Sequence, residues 1–428
     1  MHATRLAFSK QEGYSIARIF TQGVFAILSF DEAQRLLKNE IHPLPTQTVP
    51  FAEAFGRVLA ENLLSPTTLP RFDNSAMDGF ALCAQTAPRR ARVAFEVAAG
   101  QMPTQVLQPQ QVARIFTGAP VPEGADCVVP QENVLHEGEE ILLPDNVKAG
   151  QHIRKAGEDI GLGQLLLSAG VRLGPGGVAA LAACGIAQVP VFRQPRVALL
   201  STGNELCPAP GAPVPAGFAA ASSPGKASLF DSNSPMLAHW AQSLGAHVHC
   251  EHLQDDKTAT RERLEAWLSH ADVLVTLGGI SVGRYDWVRE VLSEMGCRFV
   301  FSKVAMKPGK PLCMGRLSGR YVLGLPGNPG AAFVGFVFFL APLLRGLQGE
   351  KQAFPTPVRA RLSHAAKASG ERLEIHCAHM EWVEGETWVK LAPHFSSGAI
   401  LPLALCNALV PLKKPRYEVG ESVEAFAV

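Results

Sequence analysis

From Pro195 to Gly349 the chain alternates short apolar runs with amphipathic ones, and few folds accept that pattern. RVALLSTG, AHVHCEHLQ, DVLVTLGG and RYVLGLPG read as strands; SPMLAHWAQSLG, ATRERLEAWLSHA, YDWVREVLSEMG and the apolar stretch after Pro329 read as helices. Apolar strands separated by helices imply a parallel sheet covered on both faces. Ligands of such sheets bind beyond the carboxyl ends of the strands. Three Gly-bearing turns lie at such ends: Ser201-Thr202-Gly203, Thr276 to Gly283, and Gly324 to Asn328.

This module is part of a larger chain, because 428 residues exceed what one core usually holds. FDEAQRLLKNEI puts Ala33, Leu36, Leu37 and Ile41 on one helical face, with Asp31 and Glu32 where negative charge suits the helix dipole. The apolar spacing of PFAEAFGRVLAENLLS, from Pro50, predicts a second helix. Between about 67 and 159 short β-like runs (Val93 to Val97, Gln111 to Phe116, Cys127 to Pro130) alternate with Gly and Pro clusters, as in a small β domain. Gln164 to Val171 and the helix-like VAALAACGI then suggest a return to the first module, which would make the β unit an insertion. From Gln352 short alternating runs predict a C-terminal β domain.

Composition removes several function classes. A formal net charge of +1 provides no global field for nucleic acid. The nine cysteines are scattered without a CxxC pair, so reduced thiols in the cytoplasm are expected rather than zinc or thiol redox centres. Ala331 to Leu344, interrupted by Gly335 and Pro342, reads as a buried helix and not a membrane span. The apolar patch at Ile19 to Phe30 is followed by Asp31 and Glu32 instead of a small-residue cleavage site; residues 1–27 are taken as an extension.

Anion-handling groups concentrate between Lys303 and Pro329. Lys303, Lys307 and Lys310 lie along an extended, Pro-interrupted segment, and a strand then feeds Pro326, Gly327, Asn328 and Pro329 at a helix start. Ammonium groups supply point charges, and a helix start offers N–H donors to oxyanions. Carboxylates stand beside the same turns: Glu205, Asp255, Asp256 and Asp286. Acids next to an anion site suit Mg²⁺, which takes one or two carboxylates plus phosphate oxygens; for Asp256 and Asp286 a helix cap or first-turn acid is an equal alternative. Gly278, Gly279, Ser281 and Gly283 form a turn with neither P-loop nor dinucleotide spacing, though its glycines permit close ligand approach. Further polar clusters occur at Asp73-Asn74-Ser75, equally readable as a turn, at Thr117-Gly118-Ala119-Pro120, and at Arg154, Lys155, Glu158 and Asp159. The thirteen histidines suggest no metal site.

Taken in order, LPRFDNSAMDGFAL, FTGAPVPEGADCVVPQE, IRKAGEDI, STGNEL, LGGISVGRYDW, KVAMKPGKP and GLPGNP resemble the MoeA family, which includes the gephyrin E domain. The resemblance runs from about residue 28 to the C-terminus. It implies a multidomain α/β protein with an elongated linking domain of helical and mixed character (28–66 and 160–194), an inserted β domain (67–159), a doubly wound, MogA-like α/β domain that binds molybdopterin (195–349) and a C-terminal β domain (350–428). It further implies insertion of molybdate into adenylylated molybdopterin with Mg²⁺-assisted release of AMP, in the cytoplasm. The family's functional positions map onto Asp78, Thr117, Glu205, Asp255 and Asp286 as catalytic residues, with Glu205, Asp255 and Asp286 toward the metal. Substrate contacts map onto Gly278, Gly279, Ser281, Gly283, Lys303, Lys307, Lys310, Pro326, Gly327, Asn328 and Pro329. A homodimer is implied, its cleft shared between the α/β domain of one subunit and the β insertion of the other; molybdopterin adenylyltransferase and molybdoenzyme maturation proteins are the implied protein partners, with neither nucleic acid nor membrane. Asn204 and Arg284 stand where relatives often carry acids, which removes negative charge near the proposed cation site. Two other readings stay open: a scaffold that binds molybdopterin without turnover, and an adenylyltransferase, which would lack the DNSAMDG motif and the flanking β modules.

Overall fold

The computed structural model describes residues 27–211, 216–217, 228–280, 287–368 and 372–428. The extension 1–26, Ser281, Gly283, Arg284 and Asp286 lie outside the described residues. The chain divides into two compact units, Met1–Pro45 with Phe192–Val428, and Thr46–Val191.

The first unit is built on a six-stranded sheet of β1 (Arg196–Thr202), β2 (His247–Leu253), β3 (Val273–Leu277), β4 (Arg298–Phe301), β5 (Cys313–Leu317) and β6 (Arg320–Leu325), in the spatial order β2-β1-β3-β6-β5-β4. The four strands expected from sequence are mutually parallel. The sheet as a whole is mixed, because β5 runs antiparallel to both β6 and β4. The all-parallel expectation fails there: β5 and β6 are joined by the tight turn at Ser318-Gly319, with no crossover helix between them.

Helices α2 (Asn233–Ser243), α3 (Lys257–Leu268) and α4 (Trp287–Glu294) flank the sheet, and the helical stretch α5 (Pro329–Leu347) is its main apolar support. Its length and composition would suffice to cross a membrane, but 94% of its apolar window is buried in the protein. It is a core helix, with a π-helical turn at Phe336–Leu340 between the interrupting Gly335 and Pro342. Each of Phe336, Phe338 and Phe339 is fully buried and contributes about 2 kcal/mol by removing apolar surface from water.

Helix α1 (Phe30–Glu40) starts with a capping box: Ser29 Oγ accepts from the Glu32 N–H while Glu32 accepts the Ser29 N–H at 2.9 Å. Expected within a linking domain, α1 instead packs on the α/β core. Its Phe30 ring meets Phe338 and Phe339 edge-on, with centroids 5.2 and 5.9 Å away, so the apolar stripe finds its partner on α5.

The C-terminal part of this unit is a closed five-stranded barrel. β7 (Val358–Leu362), β8 (Leu373–Val383), β9 (Glu386–Leu391), β10 (Ala408–Leu412) and β11 (Ser422–Ala427) pair in the circuit β8-β9-β7-β11-β10-β8. Closure removes free edges. A two-residue strand, Met306–Lys307, attaches to β8 through Met306↔Leu373 and Lys307↔Glu374, and so anchors the lysine-bearing segment to the barrel.

The second unit contains a four-stranded sheet of Val93–Val97, Val112–Ile115, Gly79–Leu82 and Cys127–Pro130, in that order, and a three-stranded one of Arg90–Ala91, Glu140–Leu142 and Leu135–Glu137. The return of the chain is visible as pairing of Thr46–Pro50 with Gln188–Phe192 and of Leu63–Leu64 with Leu165–Leu167. The helix predicted from Pro50 does not form. Only Phe51–Glu53 makes a helical turn; Gly56 then takes a left-handed φ of 73°, and Val58 and Leu59 form bridges to Arg172 and Val191. Long-range pairing that buries Val58 and Leu59 overrides the local periodicity.

Candidate functional site

Turn chemistry gathers the glycine motifs at the carboxyl end of the sheet. The Thr202 hydroxyl at the end of β1 donates to Leu277 O at the end of β3 (3.2 Å), and the Gly278 N–H donates to Leu325 O at the end of β6 (3.0 Å). Gly278 has φ 87°, and a Cβ there would stand 2.7 Å from Thr202 Oγ1, so the crossing of these turns needs glycine. Asn233, at the start of α2, donates to Gly327 O at 2.6 Å and draws the GLPGNP turn to the same place.

Carboxylates meet this corner from β1 and β2. Asn204 and Asp255 exchange contacts: the Asn204 N–H donates to Asp255 Oδ2 at 3.1 Å, and the Asp255 N–H to Asn204 Oδ1 at 3.4 Å. Glu205 is exposed on the following turn. Near them lies a histidine that the motifs did not single out. His252 is buried, with Nδ1 3.2 Å from Ser201 Oγ; burial holds its imidazole below the ordinary value although Asp231, Asp255 and Glu205 all pull the other way. Burial outweighs three nearby acids, so the ring is neutral and the corner stays net negative.

Among the described residues no cluster of three or more His, Cys, Asp or Glu forms a metal cage. Two accessible carboxylates, Glu205 and Asp255, are the donor set that Mg²⁺ needs when phosphate oxygens complete its shell. They fit that ion and no dedicated all-protein cage. Asp256 resolves to the alternative reading, since its side chain accepts from the Ala259 N–H at 2.8 Å as the N-cap of α3.

The lysine segment and the barrel together line an open cavity of about 490 Å³. Lys307, Lys310, Pro326 and Asn328 line it, and Lys303 does not. The barrel side adds Arg372, Glu374, His376, Ser396 and Ser397, none of which belongs to the anion motifs. Glu374 is buried between Lys307 Nζ (3.4 Å) and His376 Nε2 (3.5 Å). Burial lowers the His376 imidazole, with Lys307 adding to the effect against Glu374, so His376 is neutral near pH 7. Lys307, Lys310 and Arg372 outnumber the single carboxylate, and the cavity is net positive.

The start of α5 differs from the expected anion cradle. Pro329 has no N–H, Gly330 donates to Ser397 O at 2.8 Å, and Ala331 and Ala332 donate to Asn328 O. The first N–H groups of this helix are therefore already bonded, and only side chains are left there to meet an anion. Asn328 Nδ2 reaches Ser397 Oγ at 3.2 Å and ties the turn to the barrel loop.

In the second unit Asp78 and Thr117 are in contact. Asp78 Oδ1 accepts the Thr117 N–H at 2.7 Å and its hydroxyl at 2.8 Å, and these two bonds hold the carboxyl below the usual carboxylate range. Arg114 stands nearby, over the rings of Phe80 and Phe116 and bonded to Gln131. Asp73 accepts from Lys155 Nζ at 2.7 Å and the Ala156 N–H at 2.8 Å, so the DNS and RKAGED motifs form one polar surface.

Comparison with known proteins gives a consistent result along the chain. The sequence model of the MoeA N-terminal region (domains I and II) matches residues 28–185, and that of a probable molybdopterin-binding domain matches residues 198–346. The molybdopterin molybdenumtransferase of Synechococcus elongatus is 34% identical over 414 residues, covering 93% of this chain and 99% of that protein. The enzyme of the same name from Haemophilus influenzae is 37% identical over 336 residues, 76% of this chain and 79% of that one. The crystal structure of the molybdopterin biosynthesis MoeA protein of Pyrococcus horikoshii OT3 superposes with a TM-score of 0.78 at 27% identity, covering 94% of this chain and all of that one.

Proposed function

The chain belongs to the MoeA family, and from that membership we propose that it is a molybdopterin molybdenumtransferase that inserts molybdate into adenylylated molybdopterin and releases AMP. Its role is in molybdenum cofactor biosynthesis. The observation that carries the reading is the net positive cavity of about 490 Å³ beside the turns at the sheet's carboxyl end. A tetrahedral dianion needs cationic and hydroxyl donors in a small space, and Lys307, Lys310, Arg372, Ser396 and Ser397 line that space together.

Each group then has a task. Lys307 and Lys310 hold anionic oxygens, and the Gly278 and Gly279 turn lets the pterin nucleotide approach the backbone. Glu205 and Asp255, with Asp286, would hold Mg²⁺, which when bound neutralises charge on the phosphoanhydride as it breaks. Asp78, kept ionised by Thr117, orients the water that attacks the anhydride or takes its proton. A second copy of the chain would supply Asp78 and Thr117 to this site, so the working form is a homodimer. Nine free cysteines fit a reducing cytoplasm.

Purified protein incubated with adenylylated molybdopterin, molybdate and Mg²⁺ should release AMP in step with cofactor formation, and Asp286→Ala and Lys307→Ala should each suppress it. Tight binding of the pterin without AMP release would replace the enzyme by a scaffold. Full AMP release by both folded variants would show that the site lies elsewhere.

A further inference from the structure

The cavity wall holds one buried carboxylate with a different base on each of its oxygens. Glu374 Oε1 stands 3.4 Å from Lys307 Nζ, and Glu374 Oε2 stands 3.5 Å from His376 Nε2. The carboxylate side chain is 8% exposed, the imidazole 22% and the lysine 55%, so two bases meet over an acid that water scarcely reaches. Backbone register fixes the arrangement. Lys307 pairs with Glu374 where the strand Met306–Lys307 joins β8, and Glu374 and His376, two residues apart on β8, share one face of that strand.

The two bases differ in one respect that matters here: an ammonium keeps its charge through the physiological range, whereas an imidazole is charged only when protonated. The wall therefore has two charge states. With His376 neutral, the whole charge of Glu374 falls to Lys307 and offsets its ammonium; with His376 protonated, Glu374 is shared and more of the lysine's charge is left for a ligand. Lys307, Lys310, Arg372 and Glu374 are the charged groups that line the cavity with His376. Among the described residues, the loop 395–397 and Val410, the partner of His376 on β10, bring no ionisable side chain to it.

We propose that His376 is a positioning residue for oxyanion binding, which by gaining or losing one proton decides, through Glu374, how much of the charge of Lys307 is available to the anion. This rests on the reading of the cavity as the molybdate site and adds the control of its affinity. Burial, the largest influence, holds the imidazole below its ordinary value of 6.5 although Glu374 pulls the other way, and Lys307 adds to the lowering. The empty cavity near neutral pH is thus in its weaker-binding state. An anion favours the protonated ring, so binding takes up a proton and affinity rises as the pH falls.

The experiment titrates the native full-length chain with molybdate alone in a calorimeter, from about pH 8 to about pH 5.5, in paired buffers of different ionisation heat. The dissociation constant should tighten by about tenfold over that range, within the limit of about tenfold per pH unit for one proton, and the buffer pairs should reveal proton uptake. His376→Gln keeps a polar side chain of similar reach without the titration. It should bind as the native chain does at the alkaline end and lose the response; any change in the protonation of molybdate itself is common to both curves. Glu374→Gln should flatten the response as well, because the charge of Lys307 is then available at every pH, and a response undiminished in that variant overturns the positioning role. Native binding that is constant with pH and takes up no proton overturns the proposal while leaving the molybdate site in place, irrespective of how the variants fold. Absence of molybdate binding at every pH removes the site itself, and the proposal with it.

Discussion

Thr117 gives both its backbone N–H and its hydroxyl to one oxygen of Asp78, at 2.7 and 2.8 Å, across 39 residues of sequence. The pair links the DNSAMDG and FTGAP motifs through a single carboxylate oxygen. A carboxylate with two donors stays ionised where an ordinary one begins to take up protons.

That bond sets a pH prediction. Asp78 is depressed below its ordinary value of 3.8, so it is fully ionised above that value and loses its charge only as the pH falls through the lowered one. Thr117→Val removes one donor, and the acidic limb of the pH–rate profile should move to higher pH. Asp78→Asn should lower turnover by about a hundredfold or more at every pH, the usual size of a lost acid–base group. An acidic limb that Thr117→Val leaves in place would detach Asp78 from the reaction.

Glu374 makes Lys307 more than a free cation. Lys307→Ala removes an anion contact and also leaves the buried Glu374 with less compensation, so molybdate affinity should drop by about tenfold, or about 1.4 kcal/mol. Adding Glu374→Gln to Lys307→Ala should recover part of the loss, since the uncompensated carboxylate disappears. Calorimetric titration of the single and double variants gives the coupling directly; strictly additive effects would show that the two side chains act apart.

Asn204 holds Asp255 through two contacts, its N–H donating to Asp255 Oδ2 and its Oδ1 accepting the Asp255 N–H. Asn204→Asp can keep the bond to the Asp255 N–H while adding negative charge beside Asp255 and Glu205. Mg²⁺ affinity should rise by roughly threefold to tenfold, the range of one added charge near the surface. Unchanged Mg²⁺ binding would remove Asp255 from the cation site.

Gly79 follows Asp78 in a strand packed too closely for a side chain. A Cβ there would lie 2.1 Å from Val129 O, so Gly79→Ala must push the strands Gly79–Leu82 and Cys127–Pro130 apart. Overpacking of this kind costs about 3 kcal/mol. Thermal melting should show the loss, and a variant as stable as the parent would mean that the two strands can separate freely.

Asp256 caps α3 and has no assigned part in the chemistry. Asp256→Ala should cost about 1 kcal/mol of stability through the lost bond to the Ala259 N–H. AMP release at a temperature well below melting should be unchanged. A large fall in activity with little loss of stability would move Asp256 into the site.

Local patterns were enough for the sheet's four parallel strands, for α1 with Asp31 and Glu32 in its first turn, for α5 as a buried helix and for the position of the glycine turns. Each depends on periodicity or on side chains a few residues apart. PFAEAFGRVLAENLLS misled for the opposite reason: its apolar spacing suits a helix, but Val58 and Leu59 are claimed by Arg172 and Val191, far along the chain.

The sequence by itself determined the alternating α/β core, the turns at the ends of its strands, and the lysines and acids beside them, because those follow from spacing that the backbone enforces locally. Tertiary structure alone decided which side chains meet. Lys307 finds Glu374 across 67 residues and Asn328 finds Ser397 across 69, because the barrel closes and the short strand Met306–Lys307 pairs with the start of β8. Strand register and closure arise from packing over the whole chain, and no local run of residues specifies them.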